Sequence, residues 1–240
     1  MYSRRITSAI LALASVSIIA ACDDDDDDDP IGTGNDNTTV RFFNATSGGL
    51  SLDIAENGTV GTGNSNVTFG NASSCTRVNG ANPQLAIRPA NSTTTLAGFQ
   101  PSFASGGTYT VLITGTQAAP VFTTLNDQFT TPSAGNAAVR IVNATSSATT
   151  GAGNWDIYVN PGATLGTPNA TAIGRNTASN YLTVPAGQAN SIRLTNSGQT
   201  TALQTLAVPA LTAGTVSTIV VTDAAAGSTT LRTFTLPACT

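Results

Sequence analysis

The sequence predicts an all-β protein: two tandem immunoglobulin-like β-sandwich domains behind a signal peptide and a disordered acidic tether. Three observations lead there. Beyond the first forty residues the polarity of the chain comes from Thr, Ser, Asn and Gly rather than from charge. Thr and Val favour strands, and Gly and Asn favour turns. Short β-rich runs alternate with turn clusters, and no stretch sustains a 3.6-residue apolar period. From Thr38 onward the chain states nearly the same pattern twice.

The N-terminal elements come first. Arg4 and Arg5 precede an apolar run, Ile6 to Ala21. That run is short for a membrane span, which needs about 20 apolar residues, and has the form of a signal-peptide core. It ends in Ile19-Ala-Ala-Cys22, which resembles the bacterial lipobox. The resemblance implies a diacylglycerol on the Cys22 thiol, cleavage before Cys22, and acylation of the new amine. Several acyl chains, at about 0.8 kcal/mol per buried CH₂, hold a chain on a membrane stably. Cys22 is therefore the candidate lipidation site, and the membrane is the first expected partner.

Asp23 to Asp29 follow as seven consecutive aspartates. Like charges in a row repel one another and stay extended. Residues 22–37 form a tether with a reach of roughly 50 Å. Two further readings of the aspartates conflict. Acidic residues after a lipidated cysteine resemble a surface-export signal in some bacteria. Aspartate directly after the cysteine resembles an inner-membrane retention signal in others.

The folded part divides into residues 38–132 and 137–240, with Thr131-Pro-Ser-Ala-Gly-Asn136 as a turn-rich linker. Val40-Arg-Phe-Phe-Asn-Ala-Thr46 returns as Val139-Arg-Ile-Val-Asn-Ala-Thr145. Leu52-Asp-Ile-Ala55 returns as Trp155-Asp-Ile-Tyr158, and Cys75 stands where the second copy has Tyr181. A period near 100 residues means tandem domains rather than a solenoid, and it suits a sandwich of the immunoglobulin size. Expected strands in copy one are Val40 to Phe43, Leu50 to Ala55, Gln84 to Arg88, Thr108 to Thr114 and Val121 to Leu125. In copy two they are Val139 to Val142, Asn154 to Val159, Ser191 to Thr195, Val216 to Thr222 and Leu231 to Leu236. Alternation puts Trp155, Ile157 and Val159 on the core face, with Leu52 and Ile54 in the first copy. Asp156 and Tyr158 then point outward. That makes Tyr158 the candidate surface-binding aromatic.

Composition excludes much chemistry. The chain has no histidine and no lysine. Ser-His-Asp, Cys-His, Schiff-base and phosphate-loop lysine mechanisms are therefore absent. Asp53 and Asp156 repeat at equivalent places, as structural turn-capping residues do. Cys75 and Cys239 lack zinc-site spacing, and no calcium loop appears, so no metal and no cofactor is expected. These cysteines either pair with each other or remain unpaired or intermolecular. Outside the signal and the aspartate run, seven arginines meet six acidic residues, leaving no basic nucleic-acid footprint. Eight Asn-x-Ser/Thr sequons, Asn44 and Asn143 among them, are what so Asn- and Thr-rich a chain gives by chance.

Val139-Arg-Ile-Val-Asn-Ala, Trp155-Asp-Ile-Tyr-Val-Asn-Pro-Gly162, Tyr181-Leu-Thr-Val-Pro-Ala-Gly187 and Leu211-Thr-Ala-Gly-Thr215 resemble the bacterial family called domain of unknown function 4397. The second copy carries the resemblance better than the first. It implies tandem sandwiches in an exported envelope lipoprotein and brings no catalytic residues. The expected function is a non-catalytic, lipid-anchored envelope module, on the outer membrane or cell surface, meeting an envelope protein or glycan. The alternative is a ligand- or glycan-presenting subunit of an envelope transport system.

Overall fold

The computed structural model describes residues 38–78, 82–145, 153–224, 228 and 230–239. The signal peptide, Cys22 and the tether lie outside the described residues. Residues Thr33–Thr240 form one compact unit.

The first copy folds as two sheets. Its strands are β1 (Thr39–Asn44), β2 (Leu52–Glu56), β3 (Thr59–Val60), β4 (Thr76–Arg77), β5 (Leu85–Pro89), β6 (Ala97–Phe99), β7 (Thr108–Thr116) and β8 (Ala119–Asn126). One sheet runs β4-β1-β7-β8 and the other β3-β2-β5-β6. β1 and β7 pair in parallel; the other ladders of the copy are antiparallel.

The second copy repeats the plan. Its strands are β9 (Asn136–Asn143), β10 (Trp155–Val159), β11 (Ala170–Ile173), β12 (Thr177–Ala178), β13 (Leu182–Pro185), β14 (Asn190–Asn196), β15 (Ala202–Val208), β16 (Val216–Asp223) and β17 (Leu231–Pro237). The sheets are β12-β9-β16-β17, with β13 also on β9, and β11-β10-β14-β15. Here β9 and β16 are the parallel pair. Each ladder among the described residues stays within one copy.

All ten expected strands form, with no end shifted by more than three residues. β3, β4, β6, β11, β12, β13 and β15 lie in stretches that the sequence reads as turns. Most span only two to four residues, too short to show an alternation. β15 is longer, but its Ala-Leu-Gln-Thr-Leu-Ala-Val carries little β-branching.

Each sandwich has its own core. Leu52 and Ile54 pack with Phe42, Ile87, Val111 and Ile113. Trp155 and Ile157 pack with Ile141, Ile192, Leu194 and Val221, and Val159 joins them. The repeated Asn-Ala-Thr motif is a buried knot. The Asn44 amide donates to the carbonyls of Leu50 and Val67, while its Oδ1 accepts from Thr46. Asn143 does the same with Gly153, Ile173 and Thr145. Both asparagines are fully buried, so these two sequons offer no acceptor nitrogen.

The expected exposure of Tyr158 is wrong. Its ring is only 6 % exposed and Asp156 4 %. The physical reason is local. β10 is an inner strand between β11 and β14, where Tyr158 lies opposite Arg193. Asp156 also draws the turns at Ala172 and Gly198 over the outer face of β10. Tyr158 therefore presents no open ring to a ligand.

Candidate functional site

The informative site is the seam where the two sandwiches meet. Along β1 side chains alternate: Val40 and Phe42 enter the first core, while Arg41 and Phe43 point the other way. The second sandwich covers that other face. Phe43, Ala45, Leu112 and Leu125 meet Val142, Ala144, Val220 and Leu236 in one buried cluster. The strand registers make these four pairs of equivalents, so the seam has quasi-two-fold symmetry. An isologous interface between two copies has this form, here built within one chain.

Deeper in the seam lies a buried ionic cluster. Arg41 and Arg140, the equivalent arginines of the repeated motif, are each 3 % exposed, as is Asp127. Arg140 Nη2 is 2.5 Å from Asp127 Oδ1, and Arg41 Nη2 is 3.5 Å from Oδ2. Each arginine also crosses the seam to the equivalent carbonyl: Arg41 donates to Pro237, and Arg140 to Asn126 at 2.7 Å. Each meets the equivalent threonine. Arg41 Nε donates to Thr110 at 2.8 Å, and Arg140 Nη2 to Thr218 at 3.1 Å. The Thr110 hydroxyl in turn donates a hydrogen bond to Asp127.

The symmetry breaks at two positions. Ala238 takes the place equivalent to Asp127, so two guanidiniums share one carboxylate. Tyr181 takes the place equivalent to Cys75. Its ring lies 4.9 Å from the Arg140 guanidinium and edge-on to Phe129, and it reaches Thr218 by a hydrogen bond. Burial and the neighbouring Arg140 lower the Arg41 pKa below its ordinary value, against the pull of Asp127. Burial raises that of Tyr181, more than Arg140 lowers it. In this arrangement the Thr110 hydroxyl stands beside the Asp127 carboxylate, and both are buried and engaged with the guanidiniums. The arrangement's chemistry is that of a clamp.

Cys75 and Cys239 form a disulfide, with Cα atoms 5.9 Å apart, that ties the first sandwich to the end of the second. Asp53 and Asp156 act as twin turn-holders. Asp53 accepts the backbone N–H groups of Asn66 and Asn91, and Asp156 those of Ala172 and Gly198. Asn66, Asn91, Ala172 and Gly198 all have positive φ, and Ala172 lies at the irregular β10–β11 pairing, so each carboxylate holds two left-handed backbone positions. Among the described residues no three His, Cys, Asp or Glu side chains stand together. Glu56 lies at the end of β2, away from any such group.

Burial works to raise the Asp156 pKa, but the N–H groups of Gly198 and Ala172 and the Ser197 hydroxyl together hold it below the ordinary value. A lowered native pKa stabilises the fold above the ordinary aspartate range. That gain is lost as pH falls through the lowered value. Asp156→Asn is therefore expected to cost about 1–3 kcal/mol at neutral pH. The gap to wild type should close in strong acid. Urea titrations at pH 7 and in the acid range check this, and a gap independent of pH would refute it.

Residues 38–150 match the family described as Domain of unknown function (DUF4397). Over that span the chain resembles DUF4397. No curated protein matches the chain. The DUF4397 match starts where β1 starts and takes in Arg41, Asp127 and Arg140 together. It covers the whole first copy and only the start of the second, whereas the sequence motifs favoured the second. The sequence reading passed over the seam cluster. Its signal was present: an arginine inside an otherwise apolar strand, repeated at the same place in both copies.

Proposed function

We propose that the chain is a non-catalytic binding or structural module of the bacterial cell envelope, anchored through lipid on Cys22. The observation that carries this reading is how the buried aspartates are used. Asp53 and Asp156 are taken up by backbone turns and Asp127 by two arginines, and histidine and lysine are absent from the chain. What remains outward is largely Thr, Ser, Asn and Gly on two clamped sandwiches, a surface suited to contact with a glycan or an envelope protein.

Labelling native-host cells with a palmitate analogue tests the anchor. Wild type should take up label and Cys22→Ser should not; an unlabelled wild type would remove the anchor. Protease shaving of intact cells tests the outward placement. The Thr131–Asn136 linker is open to cleavage, with Gly135 in a left-handed turn and Ser133 and Ala134 exposed. Fragments released from intact cells are the expected result. Protection until the outer envelope is breached would place the sandwiches inside and turn the search to periplasmic partners.

A second reading, a ligand-presenting subunit of an envelope transport system, is favoured by one observation. A cavity of about 510 Å³ opens at the seam.

A further inference from the structure

We infer that this seam cavity is a binding site for a small, largely apolar monoanion, such as a one- or two-ring aromatic carboxylate. The inference concerns the cavity alone and does not depend on where the chain is anchored. The cavity has a volume of about 510 Å³ and is lined from both sandwiches. That is within the range of small-molecule sites, which favour domain interfaces and apolar walls with a few polar groups. Ala45 and Ala144, equivalent residues, meet in its wall, and Phe69 contributes a ring. Gly48 and Gly49 have open space where a Cβ would stand, which keeps the rim low.

Apart from Ser47, whose hydroxyl donates to the Gly115 carbonyl, the polar side chains come from the second sandwich. Thr218, Val220 and Thr222 alternate onto the seam face of β16, and Arg232 pairs with Thr222 in the ladder, which puts Arg232 on the same face. Thr222 is 1 % exposed, and its hydroxyl has no hydrogen-bond partner among the described residues. A buried hydroxyl left unpaired costs free energy, so its persistence points to a partner that binds there. Arg232 is exposed at the rim, its guanidinium 5.9 Å from the Phe234 ring, and it has no ion pair among the described residues. Asp223, also in the wall, is already engaged within the protein. Of the two charged groups in the wall, Arg232 is the one at the exposed rim, where an entering anion meets it first, whereas Asp223 is buried.

The other half of the seam supplies an internal control. Thr114, the equivalent of Thr222, bonds the Asn176 side chain at 3.0 Å. Gly70 stands where that asparagine would be in the first copy. A Cβ on Gly70 would fall 2.2 Å from the Phe234 ring. One side is thus closed by Thr114 and Asn176. On the other, Gly70 has no side chain to close it, and Thr222 is left unanswered. Val121 replaces Arg232 on the closed side. The charge and the open hydroxyl occur together, on one side only.

The test uses the full chain in detergent solution, with 2-naphthoate, the neutral 2-naphthamide and the cationic 2-naphthylmethylammonium as probes. Calorimetric titration should show saturable binding of naphthoate, weaker binding of the amide and none of the cation. Arg232→Gln should weaken naphthoate binding at least about tenfold, since it removes a charge-assisted contact. Ala224→Trp, which fills the cavity, should abolish binding. If that variant does not fold, Thr222→Val provides the same test by removing the hydroxyl, and should weaken binding severalfold. Val121→Gln, on the closed side, should leave affinity unchanged. No saturable binding, preference for the cation, or equal affinity in wild type, Arg232→Gln and Thr222→Val would overturn the assignment.

Discussion

Replacing Asp127 with alanine is expected to destabilise the folded protein by about 3–5 kcal/mol. For a body of this size that corresponds to a fall in melting temperature of about 10–15 °C. The reason is the stoichiometry of the seam. Two buried guanidiniums share one carboxylate, and without it they face each other unpaired across the interface. The carbonyls of Asn126 and Pro237 would still accept from them but cannot neutralise them. Removing the arginines as well should recover most of the loss. Asp127→Ala with Arg41→Met and Arg140→Met leaves an apolar seam continuous with Phe43, Val142, Leu112 and Val220. Such replacements are often neutral or stabilising. Thermal and urea unfolding of the single and triple variants checks this. A loss below about 1 kcal/mol in the single variant would mean that water reaches the cluster and solvates the arginines.

The sandwiches were legible because each inner strand carries a strong local signal. Leu52, Ile54, Trp155 and Ile157 alternate with polar residues, and only one register buries them. The seam was harder to read. A sandwich strand normally has one wet face, where an arginine such as Arg41 or Arg140 attracts no notice. The contrary signal lay in neighbouring runs. Val111-Leu-Ile113 and Ile219-Val-Val221 do not alternate at all, as expected of strands covered on both faces. Read with the repeat, these runs mark β7 and β16 as strands with a second layer against them. The same assumption of a wet outer face misplaced Tyr158 and Asp156. No local pattern announces the turns of Ala172 and Gly198, which fold back over β10 from 16 and 42 residues away. Asp127 is equally silent in sequence. It follows β8 and meets Arg140 only after the chain has passed the linker.

Cys239→Ser should cost about 5 kcal/mol in the chain-entropy account, because the disulfide closes a loop spanning 164 residues. Cys75→Ser should cost the same, since each variant removes the same cross-link. Equal losses would establish that the two sulfurs are each other's partners in the folded protein. A clear difference would mean that one thiol has another role. The denaturant slope should rise in both variants, because the unfolded chain expands once the loop is cut. The stronger test combines the two clamps. Asp127→Ala and Cys239→Ser act on the same seam at different places, one enthalpically in the folded state and one through the unfolded chain. If the sandwiches hold together through both, the double variant should depart from additivity. With neither clamp, the apolar seam cluster alone must hold the sandwiches together. Unfolding should then split into two transitions, one for each sandwich. A single transition with additive losses would show that the apolar seam alone is enough to make the two copies one cooperative body.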